Sequence, residues 1–129
     1  MSQHLYEYNF LISLIFTIIV ETVVLFSIIR LYLKIDKHRL PNNLLIFCGI
    51  FCSFATLPYL WFILPIFLGY RTNYMILGEL LVTLSESIIL YFILKLDKKT
   101  SLIISALCNF ISFILGLLLL SPLLQKLWR

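Results

Sequence analysis

The stretch MILGELLVTLSESIILYFIL, residues 75–94, decides the fold. About 20 apolar residues suffice to cross a bilayer as a helix, yet this run holds two carboxyl groups, Glu79 and Glu86. A helix turns once every 3.6 residues, so these two stand two turns apart on one stripe with Thr83 between them. A carboxylate near the middle of a membrane helix costs about 2.5 to 3.5 kcal/mol unless a proton, a partner or a wet cavity relieves it. The run therefore predicts a membrane helix whose polar stripe faces neighbouring helices.

Working outward, three more apolar runs cover residues 10–29, 44–64 and 102–120. Hydrophobic residues make up 62% of the chain and charged ones 12%, against roughly 25% charged in a soluble domain. Four spans nearly exhaust 129 residues, which predicts one all-α integral membrane domain over residues 1–129, a four-helix bundle in a cell membrane. No segment remains for a soluble catalytic or nucleic-acid-binding domain, so the net charge of +4 reads as membrane topology and no nucleic-acid partner is expected. The first run exceeds the usual 7 to 15 residues of a signal-peptide core, has no basic residue before it and no small-x-small site after it, and is expected to stay in the mature protein. Pro58 predicts a kink in the second span.

Basic residues near span ends are retained on the cytoplasmic side. Arg30, Lys34, Lys37 and Arg39 follow span one, and Lys95, Lys98 and Lys99 follow span three, against Arg71, Lys126 and Arg129 at the other end. This asymmetry places both termini outside. Tyr6, Tyr8, Tyr59, Trp61, Tyr70, Tyr74 and Trp128 fall near the outer boundary, and Tyr32 and Tyr91 near the inner one, as interfacial aromatics do.

Each remaining span also carries a polar seam: Ser13, Thr17 and Glu21 in the first, Gly49, Ser53 and Thr56 in the second, and Ser105, Asn109, Ser112 and Gly116 in the fourth. Small and polar residues at such spacing are how membrane helices pack and hydrogen-bond. At about 1.5 Å rise per residue, Glu21, Glu86 and Asn109 fall near one level, with Cys52 and Ser53 at similar height and Glu79 about 9 Å outward. The expected binding residues are thus Glu21, Glu79, Glu86, Asn109, Thr83 and Ser53. A buried carboxylate lacks the water that stabilises its charge, so a proton, an organic cation or a hard cation with oxygen ligands would each satisfy the layer. The competing structural reading is a set of protonated carboxyls that staple the helices together.

Cys48, Cys52 and Cys108 lack zinc spacing and read as reduced packing residues, and His4 and His38 as solvated. No G-x-S-x-G, H-E-x-x-H, phosphate-loop or dinucleotide fingerprint occurs, so no cofactor is expected and an intramembrane enzyme is the weakest reading.

The segment Gly78-Glu79-Leu80-Leu81-Val82-Thr83-Leu84-Ser85-Glu86, followed by Ser105, Asn109, Ser112-Phe113 and Gly116, resembles a pattern in small four-span prokaryotic membrane proteins of uncharacterised function. That resemblance covers the C-terminal half and implies weight for Glu79, Glu86 and Asn109. Size, four spans and Ile19-Val20-Glu21-Thr22 are similar to small multidrug resistance transporters, which exchange protons for organic cations, although the aromatic pattern of their third span is absent here. These features lead to the expectation of a proton- or cation-linked transporter or transport subunit that works as a homo-oligomer or with a larger membrane partner. The alternative is a non-transporting accessory or assembly subunit.

Overall fold

The computed structural model describes residues 3–69 and 72–127. Tyr70, Arg71, Trp128 and Arg129, named above for the aromatic belt and the charge balance, lie outside the described residues. Four helices follow one another: α1 (Gln3–Tyr32), α2 (Asn42–Leu68), α3 (Asn73–Leu94) and α4 (Lys98–Leu127), each long and apolar enough to cross a membrane. They outrun the apolar stretches of the sequence at most ends, because hydropathy marks only the apolar middle while backbone hydrogen bonding carries the helix on into polar residues.

The helices form an antiparallel ring in which α1 packs on α2 and α4, and α3 on α2 and α4. The outward faces are apolar, with Leu11, Ile15, Ile19, Val23, Phe54, Leu84, Ile88, Phe110 and Leu118 all exposed. Such a surface suits lipid contact rather than water. A dry core fills the half of the ring nearest the two hairpin loops, built from Leu25, Ile29, Leu40, Leu45, Cys48, Cys52, Leu90, Leu94, Leu96, Ile104 and Cys108. All three cysteines are free and buried, as packing residues would be.

The two hairpins are built alike. Leu33-Lys34-Ile35-Asp36-Lys37 ends α1, and Leu94-Lys95-Leu96-Asp97-Lys98 ends α3. Lys34 (φ 54°) and Lys95 (φ 52°) both adopt the left-handed conformation that stops a helix. Asp36 then accepts the Arg39 amide at 3.0 Å, and Asp97 the Thr100 amide at 3.0 Å. At an offset of 65 residues, Ser13, Glu21, Leu25 and Ile29 of α1 match Gly78, Glu86, Leu90 and Leu94 of α3, all buried. At an offset of 56, Leu45, Cys48, Gly49, Cys52, Ser53 and Thr56 of α2 match Ser101, Ile104, Ser105, Cys108, Asn109 and Ser112 of α4, again all buried. The two hairpins therefore run in the same direction and share a loop motif and a pattern of buried positions, and each first helix packs on both second helices.

The first hairpin has the longer loop, which Arg30 organises. Its Nη1 donates to the carbonyl of Ile35 at 2.8 Å, and its Nη2 donates to the carbonyl of Leu40 at 2.5 Å and to Asn42 Oδ1 at 2.8 Å. A planar guanidinium presents several donors at fixed angles, so one residue satisfies several loop acceptors.

Pro58 does not break α2. The helix instead widens just after it, over Tyr59–Ile63, where the Leu64 amide reaches back five residues to the carbonyl of Tyr59. Pro65 has no amide for the carbonyl of Trp61, and the wide turn diverts the Leu64 amide from that of Leu60. Two tyrosine hydroxyls fill these vacancies: Tyr6 of α1 donates to the Trp61 carbonyl at 2.7 Å, and Tyr74 of α3 to that of Leu60. A matching wide turn, Gly116–Leu120, precedes Pro122 in α4.

Helices α1 and α2 approach closely at Gly49, where a Cβ would lie 2.3 Å from Thr22 Oγ1 and 3.1 Å from Thr22 Cα. Gly116, grouped with the packing seam of span four by its spacing, differs: a Cβ there would meet only Phe16 Cε1, at 3.9 Å. The wide turn that begins at Gly116 leaves open space beside it.

Candidate functional site

Half of the ring is not filled. A cavity of about 990 Å³ occupies the half that carries the termini, rimmed by Leu5, Tyr6, Trp61, Tyr74 and Gln125, and reaches down to Glu21, Glu86 and Asn109. The dry core lies below. The walls are mostly apolar and aromatic, including Phe16, Phe113 and Met75, with Asn9, Ser13, Thr17 and Ser112 interspersed and Glu79 partway down.

Each floor carboxyl is held by a neighbouring helix. Ser53 Oγ of α2 donates to Glu21 Oε2 at 2.8 Å. Thr56 Oγ1, one turn along α2, donates to Glu86 Oε1 at 2.8 Å, and Asn109 Nδ2 of α4 donates to Glu86 Oε2 at 2.6 Å. Asn109 is itself fixed by a bond of 2.9 Å to the carbonyl of Ser105. Glu21 is 4% exposed and Glu86 2%, and among the described residues no Lys, Arg or His pairs with either or with Glu79. A buried charge with no counter-charge is expensive, so ionising either floor carboxyl carries a cost that no basic side chain among the described residues offsets.

The two hydroxyls allow both protonation states. Ser53 Oγ also lies 3.2 Å from the carbonyl of Gly49, and Thr56 Oγ1 2.9 Å from that of Cys52. Each hydroxyl has one hydrogen and two acceptors. Beside a carboxylate the hydroxyl turns toward the carboxyl. Beside a carboxylic acid it donates to the helix carbonyl and accepts a hydrogen bond from the acid's O–H. Neither arrangement leaves the hydroxyl without a partner.

Of the residues expected from sequence, Glu21, Glu79, Glu86 and Asn109 line the cavity, and Ser53 supports Glu21 from behind. Thr83 does not line it. Four residues of helix turn it about 40° past Glu79, toward α4, where its backbone carbonyl accepts Ser105 Oγ at 2.7 Å. Thr56, read from sequence only as part of a packing seam, is a direct partner of Glu86, and its spacing of three from Ser53 was the available signal. The rim residues Tyr6, Trp61 and Tyr74 read as interfacial aromatics. Their role in closing the α2 backbone depends on a wide turn that no sequence motif marks. His4 is exposed and lies 3.8 Å from Glu7. No metal-binding cluster of His, Cys, Asp and Glu occurs among the described residues.

No family model matches the chain, and no curated protein or solved structure matches it, so the cavity and its carboxyl floor are what its function is read from.

Proposed function

We propose that this chain is a multi-pass membrane protein that binds a proton or cation on an intramembrane carboxyl layer, as a small transporter or a transport subunit. One observation carries this reading: Glu21 and Glu86, without basic partners among the described residues, form the floor of a 990 Å³ cavity open at one end. Stapling helices would need the carboxyls but not the space above them. With both termini outside, as the basic loops favour, the cavity opens to the exterior and a ligand descends past Glu79 to the floor. The aromatic rim suits an organic cation as well as a hydrated inorganic one. The resemblance to small multidrug resistance transporters agrees with this reading, and transport would call for a second copy or a partner chain to complete a path.

The sealed half of the ring favours a second reading. The dry core beneath the floor closes any route toward the hairpin loops, which suits an accessory subunit that binds its ligand without moving it. Purified protein in vesicles, assayed for proton and cation flux beside a pull-down for a stoichiometric partner, separates the two. Glu21→Gln, Glu79→Gln and Glu86→Gln keep size and most hydrogen bonding. Loss of pH-dependent binding or flux in at least one, with an unchanged melting temperature, supports the ion site, while full activity in all three refutes it.

A further inference from the structure

The two hairpins repeat each other, but the repeat breaks at two positions of the floor, Ser53 against Asn109 and Thr56 against Ser112. Glu21 and Glu86 are equivalent, as are Ser53 and Asn109 on the helices beside them. In the second hairpin an amide stands at that position and donates to Glu86 Oε2 at 2.6 Å, while Thr56 takes Oε1 at 2.8 Å. Both oxygens of Glu86 are therefore occupied by the protein. In the first hairpin a serine stands there and reaches one oxygen, Glu21 Oε2, at 2.8 Å. Among the described residues the one donor to the Glu21 carboxyl is Ser53, on Oε2, and Glu21 lines the cavity.

We infer that the two halves have divided the work: Glu21 binds a single monovalent cation, the proton being the simplest, through Oε1, and Glu86 is a positioning residue locked by Asn109 and Thr56. This rests on the proposed ion-site reading and names its ligand charge and its acceptor. A divalent hard cation needs six or more oxygen ligands. Here one carboxyl oxygen is open and both oxygens of the second carboxyl are spent on protein donors. The groups that face Glu21 are Glu86 and Glu79 from α3, Ser53 and Cys52 from α2, and Cys108 from α4, whose Sγ lies 3.8 Å from the Glu21 carbonyl. None is a cation, so a monovalent charge at Oε1 meets no competitor among them.

The repeat itself supplies the test. Ser53→Asn gives Glu21 the amide that holds Glu86, and Thr56→Val frees Glu86 Oε1 and leaves Glu86, like Glu21, with one donor. Infrared difference spectra of the full chain in lipid nanodiscs, recorded across pH in a Glu79→Gln background, count the buried carboxyl groups that exchange a proton. One titrating buried C=O band is expected in the background protein. It should vanish in Glu21→Gln, persist in Glu86→Gln, weaken or shift in Ser53→Asn, and be joined by a second band in Thr56→Val. Loss of the band in Glu86→Gln with retention in Glu21→Gln would overturn the assignment, as would unchanged spectra in both Ser53→Asn and Thr56→Val. Melting temperatures of all variants report whether each remains folded. Absence of proton or cation flux from vesicles would count against the proposed function but leaves this band assignment standing.

Discussion

Asp97 and Glu86 show one chemical group used at two depths. Asp97 is fully exposed and caps α4, accepting the amide of Thr100 at 3.0 Å and its hydroxyl at 2.5 Å. These bonds stabilise the charged form and hold its carboxyl below the usual aspartate value. A depressed folded pKa means that the cap's contribution is complete above the unfolded aspartate pKa of about 3.9 and disappears as pH falls through the lower folded value. Hydrogen-exchange protection of the Thr100 amide should therefore hold down to mildly acidic pH and collapse below it. Asp97→Ala should remove protection at every pH, and unchanged protection in that variant would show that the cap is idle. Glu86 has no such access to water and depends on Asn109 and Thr56 instead. Replacing Asn109 with leucine should lower the melting temperature through the loss of an interhelical bond of about 0.6 kcal/mol, up to roughly 2. Retention of full thermal stability would mean that another donor substitutes.

At the scale of elements, α2 carries the special geometry. Its wide turn before Pro65 frees two backbone carbonyls, which Tyr6 and Tyr74 close from the helices on either side. Tyr6→Phe keeps the ring and removes only the donor, so it should cost up to about 1.7 kcal/mol and loosen the cavity rim. Thermal unfolding of Tyr6→Phe, Tyr74→Phe and the double variant in detergent checks this, and no loss in the double variant would show that water caps those carbonyls. The close approach of α1 and α2 at Gly49 makes a sharper prediction. Gly49→Ala forces Thr22 to move and should destabilise by about 1 to 3 kcal/mol, whereas Gly116→Ala meets ordinary contact distance and should be near neutral. Equal melting temperatures for the two would mean that the helices slide freely at Gly49. Both residues sit in a small-polar seam by spacing, and only distances between helices tell them apart.

For the whole molecule, the ring of four antiparallel helices puts both hairpin loops at one end and the cavity mouth at the other. The native cysteines are buried, so labelling of introduced sites has a low background. With single cysteines at positions 36 and 72, an impermeant thiol reagent added outside cells should label position 72 and spare position 36. The opposite pattern would invert the topology and turn the cavity mouth to the cytoplasm.

Four helical spans, and the place of Glu21, Glu79, Glu86 and Asn109 within them, were legible in the chain, with span ends differing by up to seven residues, because a bilayer admits few backbone solutions and makes every buried charge conspicuous. Helical spacing also put Glu79 and Glu86 on one stripe, a property of a single helix that needs no neighbour. The sequence could not show that Thr56 rather than Thr83 serves Glu86, since that depends on how α2 and α3 are rotated against each other. Nor could it show that Gly116 borders open space while Gly49 is pressed on Thr22, or that one half of the ring is hollow and the other solid. Those outcomes belong to tertiary structure, because they follow from distances between helices, and residue spacing along one helix carries no information about the distance to the next.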